Sequence, residues 1–156
     1  MKEGRKAPGF RLAEAGGERV SLSDFAGRPV VLYFFPKADT PGCTTQACGI
    51  RDRMSEYEDA RAVVIGISPD TPEALHAFAH KYDLPWHLLS DRDHRVAERY
   101  GVWVEKSMYG RRYWGVQRAT FIIGPDGKVK KALPKISPKK HDELVLDALA
   151  DLAPAS

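Results

Sequence analysis

Residues 30–48 read Val30-Val31-Leu32-Tyr33-Phe34-Phe35-Pro36-Lys37-Ala38-Asp39-Thr40-Pro41-Gly42-Cys43-Thr44-Thr45-Gln46-Ala47-Cys48. The first six residues form a continuous β-branched and aromatic run, the pattern of a strand buried on both faces. Pro36 ends the run. Thr40-Pro41 then has the form of a helix start, with Thr40 as cap, Pro41 at the first helical position and Cys43 inside the first turn. A strand buried on both sides needs a sheet that is covered on both sides.

Working outward, Cys43 to Ala60 is polar and charged with Ile50, Met54 and Tyr57 at steps of four and three, which predicts one amphipathic helix. Ala62 to Ser68 is a second buried strand. Thr71-Pro72 starts a helix with Leu75, Phe78, Ala79 and Tyr82 on one face, and it stops before Pro85. Trp86 to Ser90 is a short strand, and Arg95 to Tyr100 a short helix closed by Gly101. Gln117–Ile123 and Lys128–Leu133 flank Gly124-Pro125-Asp126-Gly127, a strong hairpin signal. Pro138 to Leu152 reads as a final helix with Val145, Ala148, Leu149 and Leu152 sharing an apolar face. This order predicts one α/β domain over residues 1–156, a central mixed sheet flanked by helices on both faces.

Composition narrows the function classes. Hydrophobic residues make up 43% and charged residues 29%, ordinary values for a globular protein. The 24 Lys and Arg are interleaved with 21 acidic residues for a net charge of +3, so no nucleic-acid stripe emerges. The densest cluster, Lys128, Lys130, Lys131, Lys135, Lys139 and Lys140, reads as a solvated strand and helix edge, the alternative being a surface that steers a partner. No apolar run follows the amino terminus, and Val30 to Phe35 and Ala119 to Ile123 are far too short to span a bilayer. Two cysteines make no disulfide framework. A cytoplasmic location, away from membranes, is the expectation. His76 and His80 have helical metal-ligand spacing without a third ligand, so no metal is expected.

The cysteines carry the chemistry. At a helix start the unpaired N–H groups and the positive end of the dipole favour an anion, here the thiolate, which is the reacting form of a thiol. The same N–H groups suit a substrate oxygen that gains negative charge. Thr40 is placed to hydrogen-bond beside the sulfur, and Pro36 to shape the loop and shield it. Taken singly, each residue has a plainer reading: a cysteine as a small buried hydrophobe, Thr40 as a cap, Pro36 as a strand terminator. Cys48, five residues on, adds a constraint. Five helical residues rise about 7.5 Å and rotate about 140° beyond a full turn. Bridged cysteines need Cα atoms within about 7 Å. If Cys43 and Cys48 pair, the first turns of the helix must unwind. Gly42, Gly49, Thr44 and Thr45 make that segment easy to melt. Four intervening residues also exclude C-x-x-C chemistry.

Pro36-x-x-x-Thr40-x-x-Cys43 resembles the active-site signature of the peroxiredoxins, thiol peroxidases on an elaborated thioredoxin fold. The longer string PKADTPGCTTQACGIRD resembles their bacterioferritin-comigratory, or Q-type, subfamily. Ala7-Pro8-x-Phe10, Gly66-Ile67-Ser68, Leu88-Leu89-Ser90-Asp91, KSMYGRRYWGVQRATFIIGPDGKV and the final helix extend the likeness over nearly the whole chain. The resemblance implies a thioredoxin-like fold with an N-terminal extension. It implies that Cys43 attacks the peroxide and becomes a sulfenic acid, that Thr40 bonds sulfur and peroxide, that Pro36 shields, and that Arg118 polarises the peroxide and stabilises the thiolate. Gln46, one turn after Cys43, is placed to orient that arginine. Cys48 matches the resolving cysteine, which forms an intramolecular disulfide reset by thioredoxin or a similar dithiol. The implied substrates are hydrogen peroxide and small organic hydroperoxides, with no cofactor. A monomer is expected, since the chain lacks a long C-terminal arm with a further cysteine.

Two other classes compete: a dithiol oxidoreductase acting on protein disulfides, and a non-catalytic binding module or chaperone whose cysteines sense oxidation. Trp86, Trp103, Tyr109, Tyr113 and Trp114 are expected mostly as core or rim packing, with a peroxide wall or a reductase-docking face as the alternatives.

Overall fold

The computed structural model describes residues 3–134 and 136–152. Strand β1 (Arg11–Glu14) and β2 (Arg19–Ser21) form an N-terminal hairpin, followed by β3 (Val30–Phe34), helices α1 (Pro41–Asp52) and α2 (Met54–Asp59), and β4 (Val63–Ser68). Helix α3 (Pro72–Tyr82), β5 (His87–Ser90) and α4 (Arg95–Arg99) lead to a second hairpin, β6 (Trp103–Met108) and β7 (Arg111–Val116). Strands β8 (Ala119–Ile123) and β9 (Val129–Leu133) and helix α5 (His141–Leu152) complete the chain. Seven strands form one sheet in the order β2-β1-β5-β4-β3-β8-β9, and β6-β7 stands apart as a ribbon.

Strand β3 pairs in parallel with β4 and antiparallel with β8, so the sheet is mixed, as expected. Its run is apolar throughout because each side chain meets a covered face. Val30, Leu32 and Phe34 join the core closed by α4, whereas Val31, Tyr33 and Phe35 join the one under α1, α2, α3 and α5. Each fully buried side chain of this kind contributes about 1.5–3 kcal/mol. Gly66, paired with Tyr33 across β3 and β4, leaves room for the tyrosine ring: a Cβ there would lie 2.7 Å from Tyr33 Cζ. The Tyr33 hydroxyl accepts a hydrogen bond from Trp86 Nε1 at 3.0 Å, and burial holds the phenol neutral by raising its pKa.

The element boundaries sharpen several expectations. Thr71 caps α3 through its side chain, and the Gly124–Gly127 turn closes the β8–β9 hairpin with a Gly127 N–H to Gly124 carbonyl bond of 2.9 Å. The helix expected over residues 43–60 is instead two, broken at Arg53, whose ψ of 18° leaves the helical range. Ile50 and Tyr57 are still fully buried, because the apolar spacing carries across the break. The last helix starts at His141 after a turn in which Lys140 N–H donates to the Ser137 carbonyl. Val145 and Leu149 are buried, as its apolar face requires. The Leu152 side chain and Lys135 lie outside the described residues. Trp86 is buried and Trp103 stacks on His94 at 3.8 Å, but Tyr109 is 98% exposed at the tip of the β6–β7 ribbon.

Candidate active site

The site forms where β3 ends. Pro36 interrupts pairing, and the following loop is pinned from two sides. Ala38 N–H donates to Asp70 Oδ2 at 2.7 Å, and the same oxygen accepts from Ser68 Oγ at the end of β4. Asp39 takes a left-handed backbone, φ 61°, which turns its carboxylate onto Lys81 Nζ at 2.9 Å and the Tyr82 hydroxyl at 2.8 Å. Those two bonds, Lys81 first, hold the Asp39 carboxyl below the usual carboxylate range. The sequence offered no cue to Asp70 as a loop anchor, since its partner is an amide 32 residues away.

Thr40 occupies the cap position of α1, as expected, but its side chain does not cap. Its hydroxyl donates to the Lys37 carbonyl at 2.9 Å instead. Two consequences follow. Among the described residues no side chain caps the first-turn N–H groups, and the hydroxyl, its proton committed, offers lone pairs as an acceptor.

Cys43 sits in that first turn and is 2% exposed. Arg118, in the short link between β7 and β8, brings Nη2 to 3.3 Å from Cys43 Sγ and donates through Nη1 to Gln46 Oε1 at 2.6 Å. Gln46 is fully buried. The guanidinium is thus gripped by two residues on successive turns of α1. Gly42 makes the approach possible, since a Cβ there would lie 3.0 Å from Arg118 Nη2. Pro36 is half-buried at the head of the loop. Cys48 is half-buried on the same unbroken helix, and both thiols are free. The structure therefore brings Cys43, Arg118 and Gln46 into contact, places Thr40 at the start of their helix, and keeps Cys48 apart.

Behind α1 lies a buried polar group that sequence reasoning missed. Tyr57 donates its hydroxyl to Asp142 Oδ1, and Thr120 Oγ1 and His141 Nε2 are 3.0 Å apart. A Cβ on Gly49 would lie 2.6 Å from Asp142 Oδ2, so α5 rests against α1 just beyond Cys48.

A buried thiol at a helix start, facing a guanidinium, can act as a nucleophile toward a small polar oxidant. Comparisons with known proteins give the family. Residues 4–132 match the AhpC/TSA family. Peroxiredoxin Bcp of Escherichia coli K12 is 48% identical over 153 residues, covering 98% of both chains. Peroxiredoxin Bcp of Bacillus subtilis is 43% identical over 96% of both. Among solved structures, the Xanthomonas campestris bacterioferritin comigratory protein, described for its alkyl peroxide reduction activity, superposes with a TM-score of 0.89 at 32% identity, covering 96% of this chain and 98% of its own. Peroxidoxin BcpB of Mycobacterium tuberculosis gives 0.87 at 35% identity, covering 98% and 99%. With the mixed thioredoxin-like sheet and the thiol at the head of α1, these likenesses place the chain in the AhpC/TSA family, among the Bcp, or Q-type, peroxiredoxins, which are thiol peroxidases.

Proposed function

We propose that Cys43 is the attacking thiol, Cys48 the resolving thiol, and a thioredoxin-like dithiol the source of electrons. The Arg118 guanidinium held between Cys43 Sγ and Gln46 Oε1 carries this reading. The Cys43 thiolate attacks the terminal peroxide oxygen. A sulfur–oxygen bond forms, the oxygen–oxygen bond breaks, and the remaining oxygen leaves as hydroxide or alkoxide and takes up a proton. Arg118 stabilises the thiolate and then the charge that develops on the leaving oxygen. Thr40, whose hydroxyl donates a hydrogen bond to the Lys37 carbonyl, accepts one from the peroxide O–H. Pro36 shields the sulfur.

Resolution needs movement. In the unbroken α1 the two thiols point apart, so the first turns must unwind before the Cys48 thiolate reaches the Cys43 sulfenic sulfur and releases water. Exchange with the dithiol then returns both cysteines to thiols and leaves the donor as a disulfide. We infer that the enzyme works as a single-domain monomer in the cytoplasm, a state that sedimentation of the reduced protein checks.

Cys43→Ser should abolish peroxide consumption. Cys48→Ser should keep one fast equivalent of hydrogen peroxide reduced per chain and lose recycling by thioredoxin. Stopped-flow thiol loss on a short peroxide pulse reads both. Normal turnover by Cys43→Ser with a dithiol donor would defeat the mechanism, and a pulse rate no faster than an ordinary thiol would favour a disulfide exchanger or redox sensor.

A further inference from the structure

One cation near the thiol is not accounted for by the roles above. Lys106 lies on β6 directly opposite Tyr113 of β7. The Lys106 stem passes over Gly115, where a Cβ would sit 3.5 Å from its Cδ and 3.6 Å from its Cε. Its ammonium donates to the Val116 carbonyl at 2.5 Å, two residues before Arg118. Lys106 is half-buried, and burial draws its pKa down. The Arg118 guanidinium draws it down further, while Cys43 acts in the opposite sense. The ammonium therefore lies within electrostatic reach of both the arginine and the sulfur.

Two cations brought together repel unless an anion lies near both. Arg118 lies against the Cys43 sulfur, Lys106 is coupled to both, and burial keeps the Tyr33 phenol neutral. The thiolate is thus the charge that this pair of cations favours. The backbone contact matters as well. Arg118 comes from an irregular link, and Lys106 braces the last carbonyl of β7, two residues before it.

We propose that Lys106 is a positioning residue of the peroxidase site: bonded to the Val116 carbonyl, it braces the end of β7 from which Arg118 reaches the Cys43 sulfur. This rests on Cys43 as the attacking thiol.

The test uses the full reduced chain with Lys106→Gln and Lys106→Arg, and Cys43→Ser as the blank. One readout is the pH at which thiolate ultraviolet absorbance appears, which needs no peroxide. The other is single-turnover oxidation by hydrogen peroxide. Lys106→Gln should move the thiolate onset to higher pH and slow oxidation at neutral pH by about three- to thirtyfold, the effect of a guanidinium shifted from the sulfur. Lys106→Arg should restore the onset and recover part of the rate. An unmoved onset in Lys106→Gln overturns the proposal, even if oxidation slows, because a purely structural role would do that much. If Lys106→Gln does not fold, Lys106→Met keeps the packed stem and is judged by the same readouts. A wild-type protein inert to peroxide would defeat the peroxidase reading alone, since the thiolate onset would still decide the role of Lys106.

Discussion

Gly42 and Gly66 both lie tight against a neighbour, yet replacing them should have different effects. At Gly66 an added methyl meets the ring of Tyr33 in a closed core, where nothing can give way cheaply. Gly66→Ala is expected to cost about 1–3 kcal/mol by urea denaturation. At Gly42 the added methyl meets the tip of a long side chain, Arg118, which can swing aside. Gly42→Ala should leave the denaturation midpoint nearly unchanged and slow sulfenate formation about ten- to hundredfold, because the displaced guanidinium no longer faces the sulfur. A Gly42→Ala enzyme with undiminished rate would show that the Arg118 contact is dispensable.

At the scale of elements, helix α1 is held at both ends by different means. Its leading loop is fixed through Asp70 and Asp39, and its trailing part rests on the Tyr57–Asp142 pair. Tyr57→Phe leaves Asp142 buried without its donor and should cost about 1–3 kcal/mol, while the rate of the first peroxide turnover, set at the other end, stays within about twofold. The same elements show what could be read from the chain. Strand β3 was plain because both of its faces are covered, so no polar residue interrupts it. The break at Arg53 was hidden because Ile50, Met54 and Tyr57 keep helical spacing across it. The β6–β7 ribbon was missed for a different reason. Its two-residue turn, Tyr109-Gly110, has positive φ at both positions, 53° and 78°. Such turns normally announce themselves with Asn-Gly or Asp-Gly, and a tyrosine in that conformation gives no such sign. Cys43, Thr40 and Pro36 sit on one continuous motif, whereas Asp70, Asp142 and Lys106 act through contacts that only the folded sheet creates.

For the whole molecule, the two cores on either face of the sheet contrast with the segment that carries the thiols. The cores bury long runs of Val, Ile, Leu and aromatic side chains. Residues 41–49 include two glycines and two threonines and lie at the edge of one core. Local opening should therefore separate from global unfolding. One equivalent of hydrogen peroxide is expected to speed amide exchange over residues 41–49 by about tenfold or more, while β3, β4 and β8 keep their protection. Exchange that rises evenly across the sheet would mean that oxidation loosens the whole domain.

The contact between Cys43 and Arg118 joins positions 75 residues apart. During synthesis the cysteine leaves the ribosome well before its arginine exists. Until β8 has been made and has paired with β3, the thiol lacks the guanidinium and is not buried against the sheet, so on the proposed mechanism it reacts with oxidants like any thiol on an unfolded chain. On the proposed role of Cys43, the nascent chain is spared damage by peroxide, and reactivity switches on only when Arg118 reaches the sulfur.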